Sequence, residues 1–410
     1  MAKSMVLGLD IGSSQIKAVL AEATGDKLRI ITGFSRPSLG LRKGTVVEID
    51  EVTKNIGELL NEVRLVSKPA VKNIYLNVGI TDIRAQISRG IIAVARANSE
   101  IHEDDIERVI QASQAINLPP NRMIIHTITR EFIVDGVNDI RDPLGMLGSR
   151  LEVSSLVVDA FSPAVKSLIK CVETAGGGIS GLFFNPLASS QPILTKNQKE
   201  LGVVLIDIGF ASTSIAVFEE NKLFHTNIFP IGSGHITNDL AIALKIPVEA
   251  AEKIKINYGC VLPKSIPSRE SVDLKKISEN LSGTPSRKFI AEVIESRVQE
   301  IFELVNNDLK LIGKAARLPA GVVLTGGGAK LPGLADLARQ ELRLSAQIGL
   351  PSPSLFETQS GELNEYIESP EYALVLGLVV WSKELGKIKP RSSDNIFTKI
   401  VALFKNLLPS

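Results

Sequence analysis

Two aspartates, each followed directly by isoleucine and glycine, are residues that could help to bind a phosphorylated ligand. Asp10 and Asp207 lie in similar stretches, VLGLDIGSSQIKAVLAE and VVLIDIGFASTSIAVFEE. In both, an apolar strand leads into a tight turn and a second apolar strand follows, which predicts two copies of one β-hairpin about half the chain apart. Because a carboxylate can hold Mg²⁺ through water, the pair predicts a phosphate-binding cleft between two lobes.

Small residues in the first turn fit this chemistry, because they let backbone N–H groups approach phosphate oxygens. Gly12, Ser13 and Ser14 form the turn, and Lys17 can add a positive charge. One such turn is common, and a plain β-hairpin is the alternative interpretation. A third glycine turn, Gly326 to Gly328, follows the apolar stretch VVLT and precedes a helical pattern. Three turns of this kind favour a phosphate or nucleoside site.

Composition sets limits on the class of protein. The chain has 410 residues, of which 44% are hydrophobic and 22% charged, as expected for a globular protein of two lobes. A net charge of +1 predicts no general attraction to nucleic acid. Cys171 and Cys260 form no CxxC or Cys/His pattern, so we expect neither disulfide bonds nor a structural zinc site. The default environment for such a chain is a reducing cytoplasm. The most apolar stretch, residues 372–381, is too short to cross a bilayer, which predicts a chain that is neither secreted nor transmembrane.

The last sixteen residues, NIFTKIVALFKNLLPS, have the pattern of a membrane-surface helix. A Pro/Ser/basic stretch, GKIKPRSSD, precedes them and is typical of a linker. An apolar face with flanking lysines predicts binding to an anionic membrane surface, and docking on the protein's own core is the alternative. The residues predicted to contact the membrane are Ile396, Phe397, Lys399, Ile400, Val401, Phe404, Lys405, Leu407 and Leu408.

Together, DIGSSQIK, DIGFASTS and VVLTGGGAKLPGL resemble the phosphate-1, phosphate-2 and adenosine motifs of the actin, Hsp70 and sugar-kinase superfamily. Within it, the chain resembles the FtsA family of bacterial cell-division proteins over nearly its whole length. The resemblance implies an α/β, actin-like two-lobed fold with duplicated ribonuclease-H-like βββαβα cores, an inserted 1C-type subdomain and a C-terminal amphipathic helix. The implied division is a first-lobe core of residues 1–81 and 159–198, an insert of 82–158, a second-lobe core of 199–230 and 319–385, a helical subdomain of 231–318, a linker of 386–394 and a terminal helix of 395–410.

The same resemblance implies ATP and Mg²⁺ as cofactors. Asp10 would organise the metal ion, and Asp207 with Gly209 would face it across the cleft. The residues implied to bind phosphates are Gly12, Ser13, Ser14, Lys17 and Gly232, with Gly326, Gly327 and Gly328 close to the nucleotide. Those implied to flank adenine and ribose are Glu249, Glu252 and Lys253, for which a solvated helix face is the alternative.

The chain departs from the superfamily pattern in the second turn. Phe210 and Ala211 replace the glycine or acid that often follows DIG, and Ser214 stands where actin-like proteins have a histidine that acts in hydrolysis. Asp207 and Gln191 are the candidates for a catalytic role. We therefore expect ATP binding, with at most weak ATPase activity.

The implied partners are those of a division scaffold. Residues 231–318 would bind the C-terminal tail of the tubulin-like protein FtsZ, with Arg297 facing the tail; an ion pair with Glu300 or Glu303 is the alternative for Arg297. The insert would contact other protomers and division proteins, and ATP would promote head-to-tail filaments. The protein would be peripheral, on the cytoplasmic face of the membrane at the division site. A metabolic sugar-type kinase and an Hsp70-like chaperone are the alternative functions.

Overall fold

A computed structural model describes residues 5–25, 27–96, 98–358 and 361–386 of the chain. Residues 387–394 of the predicted linker and the whole predicted terminal helix, 395–410, lie outside these ranges. Within the described ranges, helices are too short or too polar to span a membrane.

The first lobe begins with an antiparallel meander of strands rich in apolar residues. Its elements are β1 (Met5–Ile11), β2 (Gln15–Thr24), β3 (Lys27–Pro37), β4 (Leu41–Arg42), β5 (Thr45–Val46), α1 (Ile49–Val66) and β6 (Ile74–Val78). Strand β6 lies parallel to β1, which is buried along nearly its whole length. Burial on both faces explains why β1 is an almost continuous apolar run.

The chain then leaves the lobe to form a small sheet with its own core. This insert contains β7 (Ile83–Ala93), α2 (Glu103–Ser113), β8 (Arg122–Val134), β9 (Val137–Ile140) and β10 (Arg150–Phe161). The strand order is β7-β10-β8-β9, and α2 packs on β7 and β10. Val109, Phe132 and Val153 are fully buried between the helix and the sheet.

The chain returns to the first lobe and then builds the second. The returning elements are α3 (Ser162–Thr174), β11 (Ile179–Phe184), α4 (Asn185–Ile193) and α5 (Lys196–Leu201). The second lobe contains β12 (Val203–Ile208), β13 (Thr213–Glu219), β14 (Lys222–Phe229), α6 (Ser233–Leu244), α7 (Val248–Tyr258), α8 (Arg287–Leu311), β15 (Val322–Thr325), α9 (Leu334–Leu342) and β16 (Ala346–Ile348). Helices α6, α7 and α8 lie in the span predicted to be helical.

The last described elements are β17 (Phe356–Thr358), α10 (Glu365–Glu368) and α11 (Ala373–Gly386). Strand β17 joins the first-lobe sheet beside β3, and α11 packs on β1 and α4. Gly377 permits the close contact with α4, because a Cβ atom there would lie 2.0 Å from the carbonyl oxygen of Ala188. The chain therefore crosses back from the second lobe to the first between β16 and β17.

The two large sheets repeat one topology. The first has the order β11-β6-β1-β2-β3-β17 and the second the order β14-β13-β12-β15-β16. Apart from the added β17, each consists of an antiparallel meander followed by two parallel strands on the side of its first strand. This repetition confirms the duplication that the two hairpins predict, and it agrees with the α/β, actin-like fold that the resemblance implies.

Candidate functional site

The two aspartate hairpins and the glycine turn face one cavity of about 400 Å³ between the lobes. Asp10 is in β1 and Asp207 in β12, the equivalent strands of the two sheets. The structure therefore brings together residues predicted from three separate stretches. The predicted residues in the cavity wall are Asp10, Gly12, Ser13, Ser14, Lys17, Asp207, Gly209, Glu252, Gly326, Gly327 and Gly328.

Both hairpin turns have the same backbone geometry. The N–H of Gly12 donates to the carbonyl of Gln15 over 3.1 Å, and the N–H of Gly209 donates to the carbonyl of Ser212 over 2.9 Å. Across the strand pairs, Asp10 lies opposite Lys17 and the second-lobe aspartate lies opposite a serine. The positive charge of this position is thus present in the first lobe alone, which makes the two halves of the site chemically unequal.

Two polar side chains that sequence reasoning missed hold the carboxylates in place. Asn77, in β6, donates from Nδ2 to Oδ1 of Asp10 over 2.9 Å and accepts the N–H of Ile11 over 2.8 Å. Ser189, in α4, donates from Oγ to Oδ2 of Asp207 over 2.9 Å. Asn77 ends a buried strand beside β1, so the convergence of parallel strand ends was a signal that could have found it.

Burial disfavours the ionised forms of the two carboxylates unless a cation lies beside them. It raises the pKa of Asp10 to about 7, with Lys17 opposing and Asp207 adding to the shift. It also raises the pKa of Asp207, against the hydrogen bond from Ser189 and the charge of Lys17. Mg²⁺ is usually held by one or two carboxylates together with water and substrate phosphates. The donor set therefore fits a magnesium ion, which Asp10 and Asp207 would hold through water.

The glycine turn depends on residues without side chains. Gly326 has a φ of +85°, and a Cβ atom there would lie 2.3 Å from Oδ1 of Asp207. At Gly327, by contrast, a Cβ atom would meet nothing within 4 Å. Gly326 is therefore required by the fold of the site, whereas Gly327 borders open space.

Four predicted residues lie outside the cavity wall. Gly232 packs behind the second turn, where a Cβ atom would lie 2.6 Å from the carbonyl oxygen of Gly209. Glu249 and Lys253 are exposed on α7, and Gln191, in α4, is half-buried away from the cavity. Gly232 thus supports the turn in this structure, and the assigned roles of all four in binding or catalysis stay predictions.

A lysine that sequence reasoning missed takes the place expected for Lys253. Lys255 lines the cavity, with Nζ 2.7 Å from a carboxylate oxygen of Glu252 and within hydrogen-bonding distance of Thr237 Oγ1, at 2.9 Å. Burial lowers the pKa of Lys255, while Glu252 acts to raise it. Helical spacing was the available signal, because Glu252 and Lys255 are three residues apart and share a face.

The departures from the superfamily pattern also lie at the cavity. Phe210 and Ala211 are in its wall, as is Ser214. The Phe210 ring lies 5.8 Å from Nζ of Lys255, so it adds an aromatic surface beside a cation. Through Phe210 and Ala211 the second turn therefore lines the cavity with apolar atoms.

Arg297 lies away from the cavity and already has acidic partners. Its Nε and Nη2 atoms donate to Asp239 over 2.6 and 2.8 Å, and Nη1 donates to Glu300. The predicted alternative of a pair with Glu300 is therefore present, and the two-pronged contact with Asp239 was not foreseen. Binding to a partner's tail stays a prediction for this residue.

Comparisons with known proteins show what the chain is related to. The model of the family "Cell division protein FtsA" matches residues 204–377, and that of "SHS2 domain inserted in FTSA" matches residues 81–159. FtsA of Bacillus subtilis is 36% identical over 94% of this chain and 85% of its own length. FtsA of Pseudomonas aeruginosa is 34% identical over 92% of this chain and 89% of its own length. The chain belongs to the FtsA family. Membership supports a role in cell division and decides against the sugar-kinase and chaperone alternatives.

Solved structures of lower identity agree in fold. A chain of the PilM–PilN type IV pilus biogenesis complex superimposes with a TM-score of 0.68 at 20% identity, covering 92% of this chain and 98% of that one. MreB 5 of Spiroplasma citri, bound to AMPPNP, gives a TM-score of 0.54 at 12% identity, with 93% and 97% covered. The FtsA-family chain therefore has the fold of these proteins.

Proposed function

We propose that this FtsA-family protein binds ATP with Mg²⁺ between its lobes, assembles with further copies of itself and links FtsZ to the cytoplasmic membrane. The observation that supports nucleotide binding is that Asp10, Asp207 and the glycine turn all border the same cavity. MreB 5, which has the same fold, is bound to AMPPNP in a solved structure. The nucleotide acts as a switch that closes the cleft.

Each side of the cavity has a role in this proposal. Asp10 and Asp207 hold Mg²⁺ through water, and the first turn with Lys17 binds the phosphates. Glu252 and Lys255 face the sugar and base from α7, where a paired carboxylate and ammonium can exchange hydrogen bonds with hydroxyl groups. Gly327 lets the backbone pass close to the nucleotide.

The partner surfaces rest on the sequence and on family membership. Residues 231–318, with Arg297, bind the acidic and apolar tail of FtsZ, and the insert contacts other division proteins. Residues 395–410 bind the anionic membrane surface reversibly, because one apolar helix face supplies limited free energy. Several copies along a filament bind far more firmly.

Co-sedimentation with anionic lipid vesicles, with and without ATP and FtsZ, tests these parts together. Phe404→Glu places a charge in the apolar face and should reduce binding by a few kcal/mol, on the order of 100-fold. Asn406→Glu adds the same charge beside that face and is the matched control. If the Phe404→Glu variant still sediments with vesicles as wild type does, the membrane assignment fails. If FtsZ reaches the pellet equally without this protein, the tethering assignment fails.

A further inference from the structure

Glu371 connects the phosphate-binding lysine of the first lobe to a lysine of the second. Lys17 donates from Nζ to the carbonyl oxygen of Glu371 over 3.0 Å and lies 3.9 Å from its carboxylate. On its other side the carboxylate accepts a hydrogen bond from Nζ of Lys330 over 3.0 Å. All three residues line the cavity. One carboxylate is therefore shared between two ammonium groups at the nucleotide site.

The backbone around Glu371 contacts both lobes. The preceding carbonyl, of Pro370, accepts hydrogen bonds from the N–H of Gly326 over 3.2 Å and from Oγ1 of Thr325 over 3.0 Å. The following residues form α11, which packs on β1 of the first lobe. Glu371 is thus anchored to the glycine turn on one side and continues into the first lobe on the other.

The side chains are held in a defined arrangement. The side chain of Lys17 is 12% exposed and that of Glu371 is 25% exposed. The Lys17 ammonium also lies 5.1 Å from the centre of the Tyr372 ring. Burial acts to raise the pKa of Glu371, but Lys330, Lys17 and Ser369 lower it overall, so the carboxylate is charged. The contacts with the lysines are therefore charge-assisted.

We propose that Glu371 is a positioning residue that holds Lys17 in the nucleotide-free protein, and that nucleotide phosphates displace this carboxylate from Lys17 when they bind. This inference rests on the proposed function, because it assigns the regulation of the same site. Phosphate groups carry more negative charge than one carboxylate and attract the same ammonium. After the exchange, Glu371 keeps Lys330 as its partner. Binding of phosphates to the first lobe thus changes a bridge that reaches the second lobe.

The competition predicts that removal of the Glu371 charge strengthens nucleotide binding. Glu371→Gln keeps the size of the side chain, and the affinity for ADP in the presence of Mg²⁺ should rise about fivefold, the equivalent of about 1 kcal/mol. Glu368→Gln removes the same charge from an exposed position three residues earlier and should leave the affinity unchanged. Isothermal titration calorimetry on the full chain measures both.

A double-mutant cycle tests whether Lys17 is the group released. In a Lys17→Met background the gain from Glu371→Gln should fall to about twofold or less, because no ammonium is left to release. An equal gain in both backgrounds, or an unchanged or weaker affinity of the Glu371→Gln variant, overturns the inference. Wild-type protein that binds no ADP overturns the proposed function as well.

Thermal unfolding establishes that the variants are folded. If Glu371→Gln is not, Glu371→Asp withdraws the carboxylate by one methylene group and keeps its charge. The longer contact with Lys17 should then give a smaller gain in ADP affinity, again absent in the Lys17→Met background. A Glu371→Asp variant with wild-type or weaker affinity contradicts the inference.

Discussion

Replacement of Asp10 by Asn should stabilise the nucleotide-free protein and at the same time abolish its response to Mg²⁺ and ATP. The carboxylate is buried, and burial raises its pKa to about 7 from an ordinary value of 3.8. Asparagine has nearly the same shape and can still accept the hydrogen bond from Asn77. The substitution therefore removes a buried charge with little change in packing.

The magnitude follows from the two pKa values. Because burial raises the folded-state pKa of Asp10, the free energy of unfolding is highest below pH 3.8 and falls as the pH rises through 7. At about 1.4 kcal/mol per pH unit, the raised pKa costs up to about 4 kcal/mol at pH 8, where the folded carboxyl is ionised, and about 2 kcal/mol at pH 5, where it is protonated. The Asp10→Asn variant should thus gain about 2 to 3 kcal/mol more over wild type at pH 8 than at pH 5.

Urea unfolding in the presence of EDTA measures this difference, with the fluorescence of Trp381, the one tryptophan of the chain, as the probe. The residue is buried in α11 and stacks on Phe183. Addition of Mg²⁺ and ATP should then stabilise wild type and leave Asp10→Asn unchanged. Glu292→Gln, an exposed position on α8, controls for the loss of one negative charge.

Two results would refute the reasoning. If Asp10→Asn is less stable than wild type at both pH values, burial of the ionised carboxylate does not destabilise the folded protein. If the variant keeps wild-type affinity for Mg²⁺ and ATP, Asp10 does not organise the metal ion.

Three further changes have defined outcomes. Gly326→Ala should destabilise the protein by about 1 to 3 kcal/mol in thermal or urea unfolding, because the new side chain meets a carboxylate at a positive φ. Gly327→Ala should leave the free energy of unfolding within about 0.5 kcal/mol of wild type, and equal effects of the two substitutions would contradict this prediction. Asp239→Asn should release Arg297 from its contact with the Asp239 carboxylate and tighten binding of an FtsZ tail peptide about fivefold, as measured by fluorescence anisotropy. Arg297→Ala should weaken the same binding. Affinity changes in the opposite directions would show that Arg297 does not bind the tail. Burial lowers the pKa of His126 to about 3 from 6.5, so the contribution of this residue to the free energy of unfolding is complete above pH 6.5 and falls by about 2 kcal/mol by pH 5. In urea unfolding, the His126→Gln variant should lack this pH-dependent loss of stability. Identical pH profiles of the variant and wild type would disprove the prediction.

Local pattern was sufficient to predict the duplicated hairpins. Apolar runs determine each strand pair, and the glycine and serine residues after Asp10 and Asp207 favour the turns. These are properties of short segments, so they can be inferred without knowledge of the rest of the chain. The pair of hairpins also predicts two lobes around a shared cleft, which the repeated sheet order and the cavity lined by both aspartates confirm.

The face of α7 that points into the cavity could not be predicted from the sequence. The resemblance implies Glu249, Glu252 and Lys253 beside the nucleotide, but of these three only Glu252 lines the cavity. Lys255, on the same face of α7, lies beside it. The sequence of a helix states which residues share a face. Packing against α6 decides which face reaches the site.

The sequence by itself determined the two aspartate turns, the glycine turn and the amphipathic pattern at the chain end, because each depends on neighbouring residues. Only the tertiary structure decided which side chains hold them. Asn77 reaches Asp10 from 67 residues away, and Glu371 reaches Lys17 from 354 residues away. Contacts over such separations depend on strand order and on the return of α11 to the first lobe, which no local pattern specifies.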